Sequence, residues 1–169
     1  MTMMTASPQQ DAAFGTEQHV WQVLEGVPDP EVPVLSVVDL GLVRSVEIAG
    51  DAAVKLEVTP TYSGCPATSL ITAAIELALQ DAGYTVETAT VLSPPWTSDW
   101  MSEEGRRKLK EYGIAPPSPC GTRGAGMTIA CPQCGSEDTA LVSEFGSTAC
   151  KALFKCNACL EPFEYFKCI

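Results

Sequence analysis

Four cysteines near the end of the chain, Cys131-Pro-Gln-Cys134 and Cys156-Asn-Ala-Cys159, stand in two pairs with two residues between the members of each. A two-residue gap lets a tight turn bring two thiolates to one ion while backbone amides hydrogen-bond the sulfurs, and two such pairs complete a tetrahedral site. Gly135, directly after the first pair, tolerates the positive φ that this turn asks for. Zinc is the first choice for such a site and iron the second, because a tetrahedral set of four sulfurs accepts either. The competing readings are four buried, reduced cysteines or two disulfides. The paired spacing favours the metal.

A second chemical stretch is Thr59-Pro-Thr-Tyr-Ser-Gly-Cys65-Pro66, which precedes the apolar run Leu70 to Leu79. Pro66 suits the first position of a helix and so predicts Cys65 at the N-cap, where the partial positive charge of the helix end favours a thiolate. The plainer reading is a cysteine packed beneath a loop. Cys120 stands without an evident partner, and Cys150 and Cys168 flank the second half of the four-cysteine segment. These last two read as core residues, or as accessory thiols of a second site near Cys65. Asp29 sits at the centre of Val27-Pro-Asp-Pro-Glu-Val-Pro33, either for turn chemistry or for function. His19 is the single histidine. A ferritin-like di-iron centre needs two Glu-x-x-His pairs, so this chain cannot build one by itself, and Ser-His-Asp or Cys-His catalysis would hang on His19 alone.

The elements that must position these groups follow from pattern. A short helix is expected from Glu17 to Leu24, and the prolines of 27–33 mark an ordered extended loop. Residues 34–43 read as a strand or short helix passing through a Gly turn. Val54, Leu56 and Val58 alternate with Lys55 and Glu57, so strands 43–48 and 53–58 form a hairpin with one wet face. A helix then ends near Asp81-Ala82-Gly83 and a third strand runs from Tyr84 to Leu92. Trp96 and Trp100 are packing anchors of a proline loop. Ser102 caps a helix with acids in its first turn, basic residues later and Gly113 beyond its end. Residues 1–15 read as a disordered leader and 115–126, with three Pro and three Gly, as a linker.

With 169 residues, 46% of them hydrophobic and 18% charged, the chain has room for one main core and a small appendage. The appendage, residues 127–169, is too short to fold on apolar burial alone, so a metal would supply much of its folding energy. The net charge is -11; three lysines meet five acids in 127–169, and seven basic residues meet sixteen acidic ones before it. No basic patch appears, which argues against a nucleic-acid partner. The first 14 residues lack a basic start and an apolar core, and no run reaches membrane-spanning length, so the expectation is no membrane and a cytoplasmic location. A reducing cytosol also favours ligation over disulfides.

Asp29-Pro-Glu, Asp39-Leu-Gly-Leu-Val, Thr61 with Cys65-Pro66, and Pro94-Pro-Trp-Thr together resemble the small domain of SufT-like iron-sulfur cluster assembly proteins. The runs Ser143 to Leu153 and Glu161 to Cys168 narrow the resemblance to the PaaD family, associated with the bacterial ring-1,2-phenylacetyl-CoA epoxidase. The resemblance covers about residues 17–169. It implies an α+β fold, with a small mixed helix/sheet assembly domain at 16–114 followed by a four-cysteine zinc ribbon at 127–169. It also implies that Cys65, Asp29 and Thr61 cluster. One departure is Ser93, where relatives often place an acid before Pro-Pro-Trp.

The function so implied is that of a non-catalytic accessory factor in phenylacetate catabolism. Cys65 would transiently ligate iron or an iron-sulfur cluster for an epoxidase subunit, either the oxygenase or the iron-sulfur flavoprotein reductase. One cysteine leaves a cluster under-ligated, so a homodimer, glutathione or a partner must complete it. Two alternatives are a rubredoxin-like electron-transfer protein and a purely structural epoxidase subunit.

Overall fold

The structure, a computed structural model, describes residues 12–122 and 128–169. Helix α1 (Glu17–Glu25) starts at Thr16, whose side chain accepts the His19 N–H, and buries Val20 and Leu24. Strands β1 (Val43–Ala49) and β2 (Ala53–Val58) form the expected antiparallel hairpin. Helix α2 (Thr68–Asp81) crosses to β3 (Thr85–Thr90), which pairs parallel with β2, giving the order β1-β2-β3. Ile71, Ile75 and Leu79, spaced by one helical turn, are the buried stripe of α2. They pack with Val54, Leu56 and Val58, the inward residues of β2. The alternation that predicts the hairpin thus also fixes which face carries the core.

Residues 34–42, expected as strand or helix, form consecutive turns instead. Asp39 explains this: its Oδ2 accepts both the Ser36 N–H and the Ser36 hydroxyl, at 3.0 Å each, so local side-chain bonds replace a ladder. Gly41 closes the turns at φ 66°, and a Cβ there would lie 2.5 Å from the Trp100 carbonyl oxygen. Helix α3 (Glu103–Tyr112) follows, capped by Ser102 accepting the Gly105 N–H and ended by Gly113 at φ 92°.

The second sheet is ordered β4-β7-β6-β5, from β4 (Ile114–Ala115), β5 (Thr139–Ser143), β6 (Lys151–Cys156) and β7 (Pro162–Phe166). The expected linker is therefore partly structure. Ala115 is a strand residue paired in parallel with Tyr165 of β7, and Cys120 is joined to Cys168 by a disulfide. Residues 123–127 lie outside the described residues. The expected leader is corrected at its end: the Ala12 N–H donates to Gln22, the Gly15 N–H donates to the Tyr84 hydroxyl, and Phe14 stacks on Tyr84 at 4.7 Å. Residues 1–11 lie outside the described residues.

The ribbon is docked rather than tethered. Phe166, 1% exposed, and Cys150 belong to the main core beside Leu40 and Ile71, and the Phe166 ring meets Trp96 edge-on at 6.4 Å. Trp96 is itself anchored, donating its indole N–H to the Leu40 carbonyl at 2.9 Å. The chain end folds back so that the Ser98 N–H donates to Ile169 and the Ile169 N–H donates to the Ser98 hydroxyl. A smaller core of Ile129, Ala152, Phe163 and Tyr165, with Cys131 and Cys156, is the ribbon's own.

Candidate functional site

The two cysteine pairs meet at one point. Cys131 and Cys134 precede β5; the turn between them closes by the Gly135 N–H donating to Cys131 at 2.8 Å, with Gly135 at φ 76°. Cys156 ends β6, and the Cys159 N–H donates to its Sγ at 3.5 Å. Asn157 ties the two turns together through its backbone and side-chain amides to Asp138. Sulfur separations are 3.8 Å for Cys131–Cys159 and 3.6 Å for Cys134–Cys156, and all four lie within 4.8 Å of one another. Metal–sulfur bonds of ~2.3 Å in a tetrahedron place sulfurs ~3.8 Å apart, so the donor set fits a zinc-like ion. The thiols also show the crowding expected of such a site. The Cys159 N–H holds Cys156 down at about 7. Against the pull of the Glu161 N–H, burial and the neighbouring sulfurs push Cys159 up to about 12. Four thiolates this close would repel one another, and a bound cation would relieve that repulsion.

Cys65 is placed differently from the expectation. Helix α2 begins at Thr68, after a Pro66-Ala67 turn, and its N-cap is Ala67 with no side-chain cap. Cys65 therefore stands ahead of the helix rather than at its cap. Its carbonyl accepts from the Thr68 N–H and hydroxyl, and its N–H donates to Tyr62. The half-buried Cys65 lines a pinched cavity of about 10 Å³ together with Asp29, Glu31, Thr61, Cys150 and Phe166. Asp29 is 6% exposed, and its Oδ1 accepts the N–H groups of Glu31 and Val32 at 2.8 and 2.7 Å, which locks the proline loop beside the cavity. Cys150, 5% exposed, lies with its Sγ 3.0 Å from the Thr148 hydroxyl. Burial pushes its thiol up, and the Glu31 charge adds to that. Cys168 is not an accessory thiol: its sulfur is bonded to Cys120, because the returning C-terminus lays the two side by side.

Two residues quoted only within motifs take on individual places in the fold, one at the cavity and one in the scaffold. Glu31 belongs to the Asp-Pro-Glu motif, yet only the folded loop brings it to the cavity; burial raises its carboxyl, and nearby Asp29 raises it further. Asp39 is a structural hub 6% exposed: its carboxylate accepts from Ser36, from the Ser102 hydroxyl and from Lys108 at 2.7 Å. Burial alone would raise its carboxyl, but the Lys108 and Ser36 bonds outweigh it and hold it below the ordinary range. His19 lies outside the site, with its Nδ1 2.8 Å from the Tyr84 hydroxyl. No helix among the described residues is long and apolar enough to cross a membrane.

An α+β domain presenting a loop cysteine, closed by a four-cysteine β-ribbon, defines the class: an iron-sulfur assembly domain joined to a zinc ribbon. Residues 17–91 match the family model described as iron-sulfur cluster assembly protein, and 115–167 match that of the PaaD zinc beta ribbon domain. A protein of Escherichia coli (strain K12), provisionally named as one of the subunits of 1,2-phenylacetyl-CoA epoxidase, is 50% identical over 89% of this chain and 92% of its own length. The chain belongs to that family, the PaaD family. An Fe-S protein maturation auxiliary factor of Porphyromonas gingivalis is 33% identical over 56% of this chain and 90% of its own. The crystal structure of a domain of unknown function, DUF59, from Bacillus anthracis superposes with a TM-score of 0.52 at 29% identity, covering 55% of this chain and 90% of that one.

Proposed function

We propose that this chain is a non-catalytic accessory factor that matures or repairs the metal centres of a phenylacetyl-CoA epoxidase, iron-sulfur or di-iron, with Cys65 holding iron or a cluster in transit. The observation that carries this reading is the position of Cys65 on a cavity with Asp29 and Thr61, inside the segment matching iron-sulfur assembly proteins. A thiolate is a soft ligand for iron, and a site with few protein ligands can release what it binds, whereas four thiolates close a tetrahedron. Asp29 fixes the loop and Thr61 lines the wall, so both shape the cavity that the thiol faces.

The ribbon cysteines Cys131, Cys134, Cys156 and Cys159 hold a resident metal, zinc before iron, whose role is to keep the fold. The working units are an assembly domain at 16–114 and a ribbon at 127–169, acting in the cytoplasm without nucleic acid. The recipient is the oxygenase or the iron-sulfur flavoprotein reductase of the epoxidase; the name of the E. coli relative supports an epoxidase as the partner and does not choose between its components. The test is co-expression of the epoxidase subunits with wild-type chain or with Cys65→Ser, followed by iron and sulfide analysis and activity of the purified epoxidase. A severalfold loss of metal is expected. Fully metallated, active epoxidase with Cys65→Ser overturns the reading.

A further inference from the structure

The cavity beside Cys65 has a wall that the first domain does not supply. Cys150, immediately before β6, and Phe166, at the end of β7, line it from the ribbon. The backbone around Cys150 is pinned: its carbonyl accepts the Lys167 N–H at 2.9 Å, and neighbouring Lys151, 3% exposed, is paired with Glu164 at 2.8 Å. The Phe166–Trp96 contact holds this edge of the ribbon on the first domain. A second thiol is thereby held at the cavity that Cys65 lines, although 85 residues of sequence separate the two.

We propose that Cys65 and Cys150 together bind one soft divalent cation, ferrous iron foremost, with the Glu31 carboxylate as third ligand, in a transfer site split between the two domains. The proposal rests on the reading of Cys65 as a cargo ligand and supplies the protein partner that a single cysteine lacks. Each thiol gives its proton to solvent as its metal–sulfur bond forms, and no electron is transferred. The enclosed part of the cavity, about 10 Å³, is room for about one water-sized sphere, which suits a single ion. Glu31 also lines an outer cleft of about 460 Å³ with Lys151 and Glu164, so it stands where a hydrated cation would enter and shed water. Among the described residues, only the ribbon cysteines have three or more ligand atoms already gathered within 4.8 Å. The Cys65–Cys150–Glu31 set is looser, as a site that must give up its ion requires, and the ion draws it together.

The test is an anaerobic titration of the zinc-loaded full chain with cobalt(II), a spectroscopic stand-in for ferrous iron, with released zinc measured to exclude exchange at the ribbon. One equivalent should bind with a thiolate-to-cobalt absorbance band. Cys65→Ser and Cys150→Ser should each remove about half of that band and weaken binding more than about tenfold, since even an outer partner of a metal ligand is worth that much. Glu31→Gln should weaken binding and keep the band. If Cys65→Ser alone reduces binding, the split site is overturned and the Cys65 reading stands. If neither variant changes it, both fall. Should Cys150→Ser fail to fold, wild-type chain treated with dibromobimane decides. A fluorescent bridge mapped to the Cys65 and Cys150 peptides supports the site, and its absence overturns it.

Discussion

The ribbon and the inter-domain cavity place the same side chain in opposite surroundings. At the ribbon, four sulfurs lie within 4.8 Å of one another on turns that hydrogen bonds have already shaped. At the cavity, Cys65 sits on a loop between Tyr62 and Thr68, and Cys150 reaches the same space from the other sheet. A closed tetrahedron binds tightly and leaves no open position, which suits a fold that is short of apolar burial. A set of fewer protein ligands binds less tightly and exchanges more. On the proposed roles, what separates a structural thiol from a working one is ligand number and enclosure, not cysteine chemistry.

The largest effect should come from the ribbon. Chelation, or Cys156→Ser, removes binding energy on the order of 10 kcal/mol and should unfold the second sheet. Because Phe166 and Cys150 belong to the main core, the damage should spread, and tryptophan emission should shift along with the loss of bound metal. A ribbon that unfolds while Trp96 keeps its environment would mean that the two units are independent. Next is Phe166→Ala, which opens a cavity where the ribbon meets the first domain and should cost about 3–5 kcal/mol. Urea unfolding should then separate into two transitions; a single transition at the wild-type midpoint would contradict the shared core.

Smaller again is Asp39→Asn, which breaks the Lys108 bond inside the first domain and should cost about 2 kcal/mol at neutral pH. Folded Asp39 gives up its proton at lower pH than an unfolded aspartate does, so across that interval the folded state binds fewer protons. Its contribution is complete above about pH 3.9 and is lost as pH falls through the lower folded value. Acid titration of stability should show that loss in wild type and not in Asp39→Asn. The contrast tests whether Asp39 belongs to the scaffold rather than to the cavity.

Local pattern made much of this legible. The alternation Val54-Lys55-Leu56-Glu57-Val58 marks β2 and its buried face, Ser102 and Gly113 bound α3, and the two CxxC pairs announce the ribbon site. Local chemistry also misled at Cys65, where Pro66 occupies a turn and the helix begins at Thr68. The rest was not legible because it is non-local. The Cys120–Cys168 bond depends on the chain end returning to Ser98. That Cys150 lines the cavity of Cys65, one of the two readings its sequence position left open, depends on Phe166 docking beside Trp96. Nothing within a helical turn or a strand of any of these residues encodes its partner. Glu31 was in view as part of a motif, but its place at the cavity depends on the loop that Asp29 ties.

The smallest expected change in stability belongs to Cys65→Ser, and it is the sharpest test of the contrast between the two regions. Cys65 is half-buried at the margin of the core, and its backbone bonds to Tyr62 and Thr68 do not involve the sulfur. Exchanging sulfur for oxygen there should alter the unfolding free energy by less than about 1 kcal/mol. Ribbon metal should remain at wild-type content, and the far-ultraviolet spectrum should be unchanged. The same replacement at Cys156 should fail both measurements. If Cys65→Ser proves as destructive as Cys156→Ser, then Cys65 is a scaffold residue and the division of labour between closed and open thiols disappears. If it is silent in stability yet leaves the epoxidase short of iron, the cost of losing a thiol is fold at one site and cargo at the other.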